Sequence, residues 1–292
     1  MTLRFTFLLL TISALFLAGN NFCSAASPFT VQVTGSGPPM LLIPGLTCGG
    51  DVWDSTVEHF KSKYECHVVT LAGFAGQPAI EGPMLEKVRD ALITYIREKK
   101  LTRPIVIGHS LGARLAFDLG ATAPELFGPI IALDGVPYYP ALQNPKATPS
   151  MIEPFAKMLK SSMENQTPQQ FAFGNRIFLA TMVTDPKDLD KIAAHSTLSD
   201  PKASAQALYE LMTLDLRDKV KAITSPVLLI GASASIADPT ARKAIEENYR
   251  QQVSTIPHHK VVFAPKARHF IQYDEPQFFF EQVEAFLKDA AK

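Results

Sequence analysis

Seven short apolar runs rich in Val, Ile and Leu recur along the chain, at residues 29–33, 40–43, 66–71, 105–107, 129–133, 227–230 and 260–263. Between them, apolar residues return at helical spacing over 53–61, 86–100, 111–123, 240–251 and 276–290. Alternation of these two periods predicts an α/β fold with a mostly parallel sheet and helices on both faces. Most of these runs are uninterrupted apolar stretches, as strands buried on both sides are.

One segment departs from the alternation. Residues 136–215 carry no strong strand pattern but do carry helix-like stretches with Phe155, Met158, Leu159, Phe171, Phe173, Ile177, Phe178, Leu179 and Met182. Prolines at 137, 140, 145, 149, 154, 168, 186 and 201 divide it into short pieces. An insertion of this size predicts a helical cap over the C-terminal edge of the sheet, flanked by a core of 27–135 and 216–292. Helices packed into the core itself are the plainer alternative.

With 292 residues, 47% of them hydrophobic, the chain is long enough for one large or two smaller domains. Its 28 basic and 28 acidic side chains form no dense cationic stripe, which argues against a nucleic-acid partner. Arg4, a nearly uninterrupted apolar stretch over 5–18 and the small residues Ser24, Ala25 and Ala26 have the layout of a secretory signal peptide, 1–26. A transmembrane anchor is the competing reading, but the apolar stretch is short and Asn20-Asn21 ends it. Cleavage near Ala25–Ser27 would leave a secreted or periplasmic protein with no stable membrane anchor. It would also remove Cys23 and leave Cys48 and Cys66, either bridged or serving as two small buried apolar groups.

Chemistry concentrates at three places. Gly108-His109-Ser110-Leu111-Gly112 joins the apolar run 104–107 to the helical pattern 111–123, the layout of a nucleophile elbow that presents Ser110 above the sheet. A serine hydroxyl needs a base, and His269 follows the last strand, which in an open α/β sheet puts it on the same edge as Ser110. The developing oxyanion needs N–H donors; Leu111 follows the nucleophile, and Leu46 lies in the Gly-rich loop 44–50 after an early strand. His109 is read as packing beneath the turn. No histidine pair has metal-ligand spacing, so no metal or cofactor is expected.

Ile43-Pro44-Gly45, Gly108-His109-Ser110-Leu111-Gly112 and Arg268-His269-Phe270, in that order, resemble the α/β-hydrolase superfamily over nearly the whole mature chain. The resemblance implies a Ser-Asp/Glu-His triad in this chain order and a cap inserted after the sixth strand. The acid departs from the usual pattern, because the stretch after Gly231 reaches no carboxylate until Asp238. Asp238 also reads as a helix N-cap before Pro239, and Asp134, at the end of the strand before the insertion, is the other candidate. Serine at the elbow implies cleavage of an acyl bond in a small substrate. An ester is favoured, with amide, lactone, and cofactor-free lyase or perhydrolase chemistry open on the same parts, as is an idle scaffold that only binds.

Overall fold

A computed structural model describes residues 26–290. Its strands are β1 (Phe29–Gly35), β2 (Pro39–Ile43), β3 (Glu65–Leu71), β4 (Ile105–His109), β5 (Ile130–Leu133), β6 (Val227–Ala232) and β7 (His259–Ala264). They form one sheet in the order β1-β3-β2-β4-β5-β6-β7, with β1 antiparallel to β3 and every other pair parallel. The helices are α1 (Asp54–Phe60), α2 (Met84–Glu98), α3 (Leu111–Thr122), α4 (Pro149–Glu164), α5 (Pro168–Ala180), α6 (Pro186–Ser196), α7 (Pro201–Thr213), α8 (Pro239–Val253), α9 (Ile271–Asp274) and α10 (Pro276–Ala290).

The central strands divide their side chains between two cores. Leu41, Ile43, Ile130, Ala132, Val227 and Leu229 pack on one face with α2, α3 and α8; Met40, Leu42, Ile131, Leu133, Leu228 and Ile230 pack on the other with α1 and α10. Strict alternation with both faces covered explains the unbroken apolar runs. Each fully buried Leu or Ile adds about 1.5–3 kcal/mol of burial, so the sheet is a rigid platform for whatever its C-terminal edge carries. Two local differences from the sequence pattern are small. The helical pattern 53–61 is realised as α1, preceded by a 3-10 turn at Gly50–Trp53, and the single-turn helix α9 is too short to show a period.

Helices α4 to α7 fill the stretch between β5 and β6. Counted along this chain the preceding strand is the fifth, since the described sheet has seven. The prolines here start helices more than they break them. Pro149, Pro168, Pro186 and Pro201 each stand at the first position, where a missing N–H costs nothing. Thr167, Asp185 and Asp200 cap α5, α6 and α7 by accepting from the N–H groups of Gln170, Lys187 and Ala203. Pro154 sits inside α4 without ending it.

Cys48 and Cys66 are buried, separate thiols. Burial pushes Cys66 up to about 11 and Cys48 higher still, so both behave as small apolar groups. Among the described residues no helix is long and apolar enough to cross a membrane. The segment expected to be a signal peptide, 1–26, lies outside the described residues except for its last position.

Glu210 of α7 ties the inserted helices to the platform. Its buried carboxylate accepts from Met84 N and Leu85 N, both at 2.7 Å, at the N-terminus of α2 where the helix dipole favours an anion. Glu210→Ala leaves these two donors buried and unmatched. It is expected to lower stability by about 2 kcal/mol, read from urea denaturation midpoints.

Candidate active site

The register of the sheet sets the site. Ile43 of β2 pairs with Gly108 of β4, and His109 pairs with Leu133 of β5, so the residues just beyond, Ser110 and Asp134, leave adjacent strands at one level. Ser110 turns the chain from β4 into α3 at φ 55° and ψ −116°, a conformation unfavourable for any side chain. Glycine makes the turn possible. A Cβ at Gly108 would stand 2.2 Å from Gly112 O, and one at Gly112 would stand 2.2 Å from Ile43 O. The Ser110 N–H donates to Leu133 O at 2.8 Å and locks the turn to β5.

His269 lies between β7 and α9 in a loop held by backbone donors. Lys266 N and Ala267 N donate to Glu275 Oε2, and Arg268 N donates to Asp274 Oδ2, all at 2.7 Å. This presents the imidazole to Asp134, with His269 Nδ1 2.5 Å from Asp134 Oδ2. The other carboxylate oxygen accepts from Ala232 N at 2.8 Å and from the Tyr249 hydroxyl at 2.6 Å. Tyr249, on α8, is fully enclosed; burial, then the charge of Asp134, holds its phenol well above the ordinary value, so it acts as a donor. Tyr249 and Ala232 were not singled out from sequence. The only trace there is an aromatic on the buried face of the predicted helix 240–251.

Asp238 is elsewhere. It caps α8, accepting from Ala241 N at 2.7 Å, and lies exposed at the helix start with Pro239 at the first position. Of the two carboxylates, the fold therefore brings Asp134 to His269 and gives Asp238 to the helix.

The loop after β2 closes the opposite side. A Cβ at Gly45 would come within 3.2 Å of Ser110 Cβ, so this backbone runs directly against the elbow. Thr47 is held at φ 65° by a turn from Cys48 N to Gly45 O and by Ser199 Oγ, which donates to Thr47 O at 2.8 Å. Neither Leu46 N nor Leu111 N donates to another group among the described residues. Ser110 and His269 are not hydrogen-bonded to each other, but both line one cavity of about 700 Å³; such contacts tighten when substrate binds. Its remaining walls are chiefly apolar residues of α4, α5 and α7.

Residues 40–282 match the family model described as the Alpha/beta hydrolase family. The chain belongs to that family. Among similar proteins, this hydrolase is 26% identical over 263 residues to a pimeloyl-[acyl-carrier protein] methyl ester esterase of Aeromonas hydrophila, covering 88% of this chain and 98% of that one. It shares its fold with a thermophilic esterase from Thermogutta terrifontis (TM-score 0.73, 19% identity, 90% and 94% of the two chains). It also shares it with an enol-lactonase from Burkholderia xenovorans (TM-score 0.71, 17% identity, 89% and 96%).

His109 lies under the elbow of the hydrolase, as its position in sequence suggests. Its Nε2–H donates to His269 O at 3.0 Å, which fixes the tautomer and leaves Nδ1 without a partner among the described residues. Burial, then the neighbouring His269 ring, holds its pKa well below the ordinary imidazole value. The unfolded chain therefore binds a proton below about pH 6.5 that the folded chain refuses, and stability is lost as pH falls. His109→Gln should flatten the stability profile below pH ~6.5 by up to about 1.4 kcal/mol per pH unit, measured by urea denaturation across that range.

Proposed function

We propose that this hydrolase is a serine esterase acting on small, largely apolar acyl substrates. The observation that carries the reading is the His269–Asp134 pair, fixed by buried donors and opening onto the same cavity as Ser110. His269 takes the Ser110 proton as the hydroxyl oxygen bonds to the ester carbonyl, and the Leu46 and Leu111 amides receive the negative charge on the carbonyl oxygen. His269 then returns the proton to the departing alkoxide as the carbon–oxygen bond breaks. Water, deprotonated by the same imidazole, releases the acid from Ser110. Asp134 holds the imidazole in its tautomer and stabilises it when charged.

The apolar walls from α4, α5 and α7 support an uncharged acyl or alcohol group, and these helices act as a cap over the site. The name of the Aeromonas relative, an esterase of a methyl ester on an acyl-carrier-protein conjugate, agrees with ester chemistry. We further place the mature protein outside the cytoplasm on the strength of the segment 1–26. Intact-mass analysis of the secreted or periplasmic fraction should give a chain that starts near Ala26 or Ser27; a full-length mass rejects that placement.

Ser110→Ala is expected to reduce p-nitrophenyl ester turnover by roughly 10⁴-fold or more and to abolish labelling by a fluorophosphonate. Asp134→Asn should lower kcat by roughly 10³-fold or more. Asp238→Ala should leave turnover in place and cost about 1 kcal/mol of stability through the lost cap. Retained turnover in Ser110→Ala would reject the esterase reading, and a collapse in Asp238→Ala alone would reject the assignment of the acid. A panel of esters, lactones and amides ranks the bond cleaved.

A further inference from the structure

Helix α5 turns one face to the cavity, and Phe171, Phe178 and Leu179 on that face present large side chains. Gly174, between them, presents none. Glycine is the poorest residue after proline for a helix interior, so its place there calls for a reason. Every other described glycine has one, either a left-handed backbone or an atom that a Cβ would crowd. At Gly174 a Cβ would meet nothing within 4 Å. The missing side chain spares no protein atom; Gly174 is exposed and lines the cavity, so the space it leaves free adjoins that cavity.

The surroundings say what that space suits. Across the cavity α4 contributes Phe155, Leu159 and Met163, and no charged side chain of α4, α5 or α7 lines it. The next residue, Asn175, reaches Thr47 Oγ1 at 3.4 Å, which joins this part of α5 to the loop that carries the Leu46 amide. Arg268, the cation in the lining, is turned to Ala180 O and Val183 O at the far end of α5, so the wall from Thr47 past Asn175 to the bare backbone of Gly174 is uncharged.

We propose that Gly174 is a specificity-determining residue. Its missing side chain forms one wall of a channel for the extended apolar chain of an ester, on either the acyl or the alcohol side. The inference rests on the esterase reading for turnover and on the cavity alone for binding.

The test compares wild type with Gly174→Ala and Gly174→Leu on two series, p-nitrophenyl esters from acetate to octanoate and n-alkyl acetates from methyl to octyl. The expected result is a loss of kcat/KM that grows with chain length in one series. That series tells which side of the ester the channel holds. For Gly174→Leu the octyl member should fall roughly tenfold or more beyond the shortest member, with a smaller graded loss in Gly174→Ala. Gly174→Ala should also melt about 1–3 °C higher, because alanine favours the helix. Equal losses at all lengths in both series, or no loss in either, overturn the proposal.

Calorimetric binding of octanoate and octanol in a Ser110→Ala background reads the channel without turnover. Weaker binding of either one after Gly174→Leu supports it, and unchanged binding of both rejects it. Weakened binding in a protein whose wild type cleaves no ester would reject the esterase reading alone.

Discussion

One carboxylate gathers the parts of this molecule. Asp134 has only 8% of its side chain exposed, and a charge so placed is tolerable only when its oxygens are filled. Ala232 of β6 and Tyr249 of α8 fill one oxygen, and His269 from the loop after β7 fills the other. Three segments distant in sequence are thereby fixed against the end of β5. The same contacts hold Asp134 at φ 41°, a strained conformation for a residue with a side chain that persists because its surroundings over-determine it.

The elbow answers a second constraint of the same kind. Ser110 occupies a sharp turn only because Gly108 and Gly112 admit backbone where a Cβ would collide. Around it the inserted helices are bonded to the loops of the site. Ser199 holds Thr47 O, and Asp274 accepts from Thr184 N and Thr184 Oγ1, both at 2.9 Å, while also holding Arg268 N beside His269. Phe270 N donates to Met182 O in the same junction. The segment that shapes the cavity thus also steadies the imidazole and the loop facing it.

Much of the fold was legible in the chain because it depends on local pattern. Strands buried on both faces leave unbroken apolar runs, and Asp238-Pro239 announces the start of α8 by its capping chemistry alone. Ser110 and His269 stood out because each follows a strand at the edge where such sheets carry ligands. The choice between Asp134 and Asp238 was not legible, since it depends on how the loop after β7 folds back, and no spacing in the sequence encodes that. Tyr249 was missed for a related reason. An aromatic on an apolar helical stripe reads as core, and only the assembled structure shows that its hydroxyl ends on a carboxylate. Gly174 left no trace either, because a lone glycine in a helical pattern says nothing about which way it faces.

With the histidine's partner supplied from the end of β5, the connection between β6 and α8 is released from that duty. Residues 233–238 cap a helix, hold Glu246 through Ser233 and anchor Arg242 on the carbonyls of Ala234 and Ile236, and among the described residues His269 Nδ1 is bonded to Asp134 instead. Ser235 lines the cavity. The loop therefore answers to α8 and to the cavity wall alone: a change at Ser235 reaches substrate space without disturbing any group bonded to His269 or Asp134.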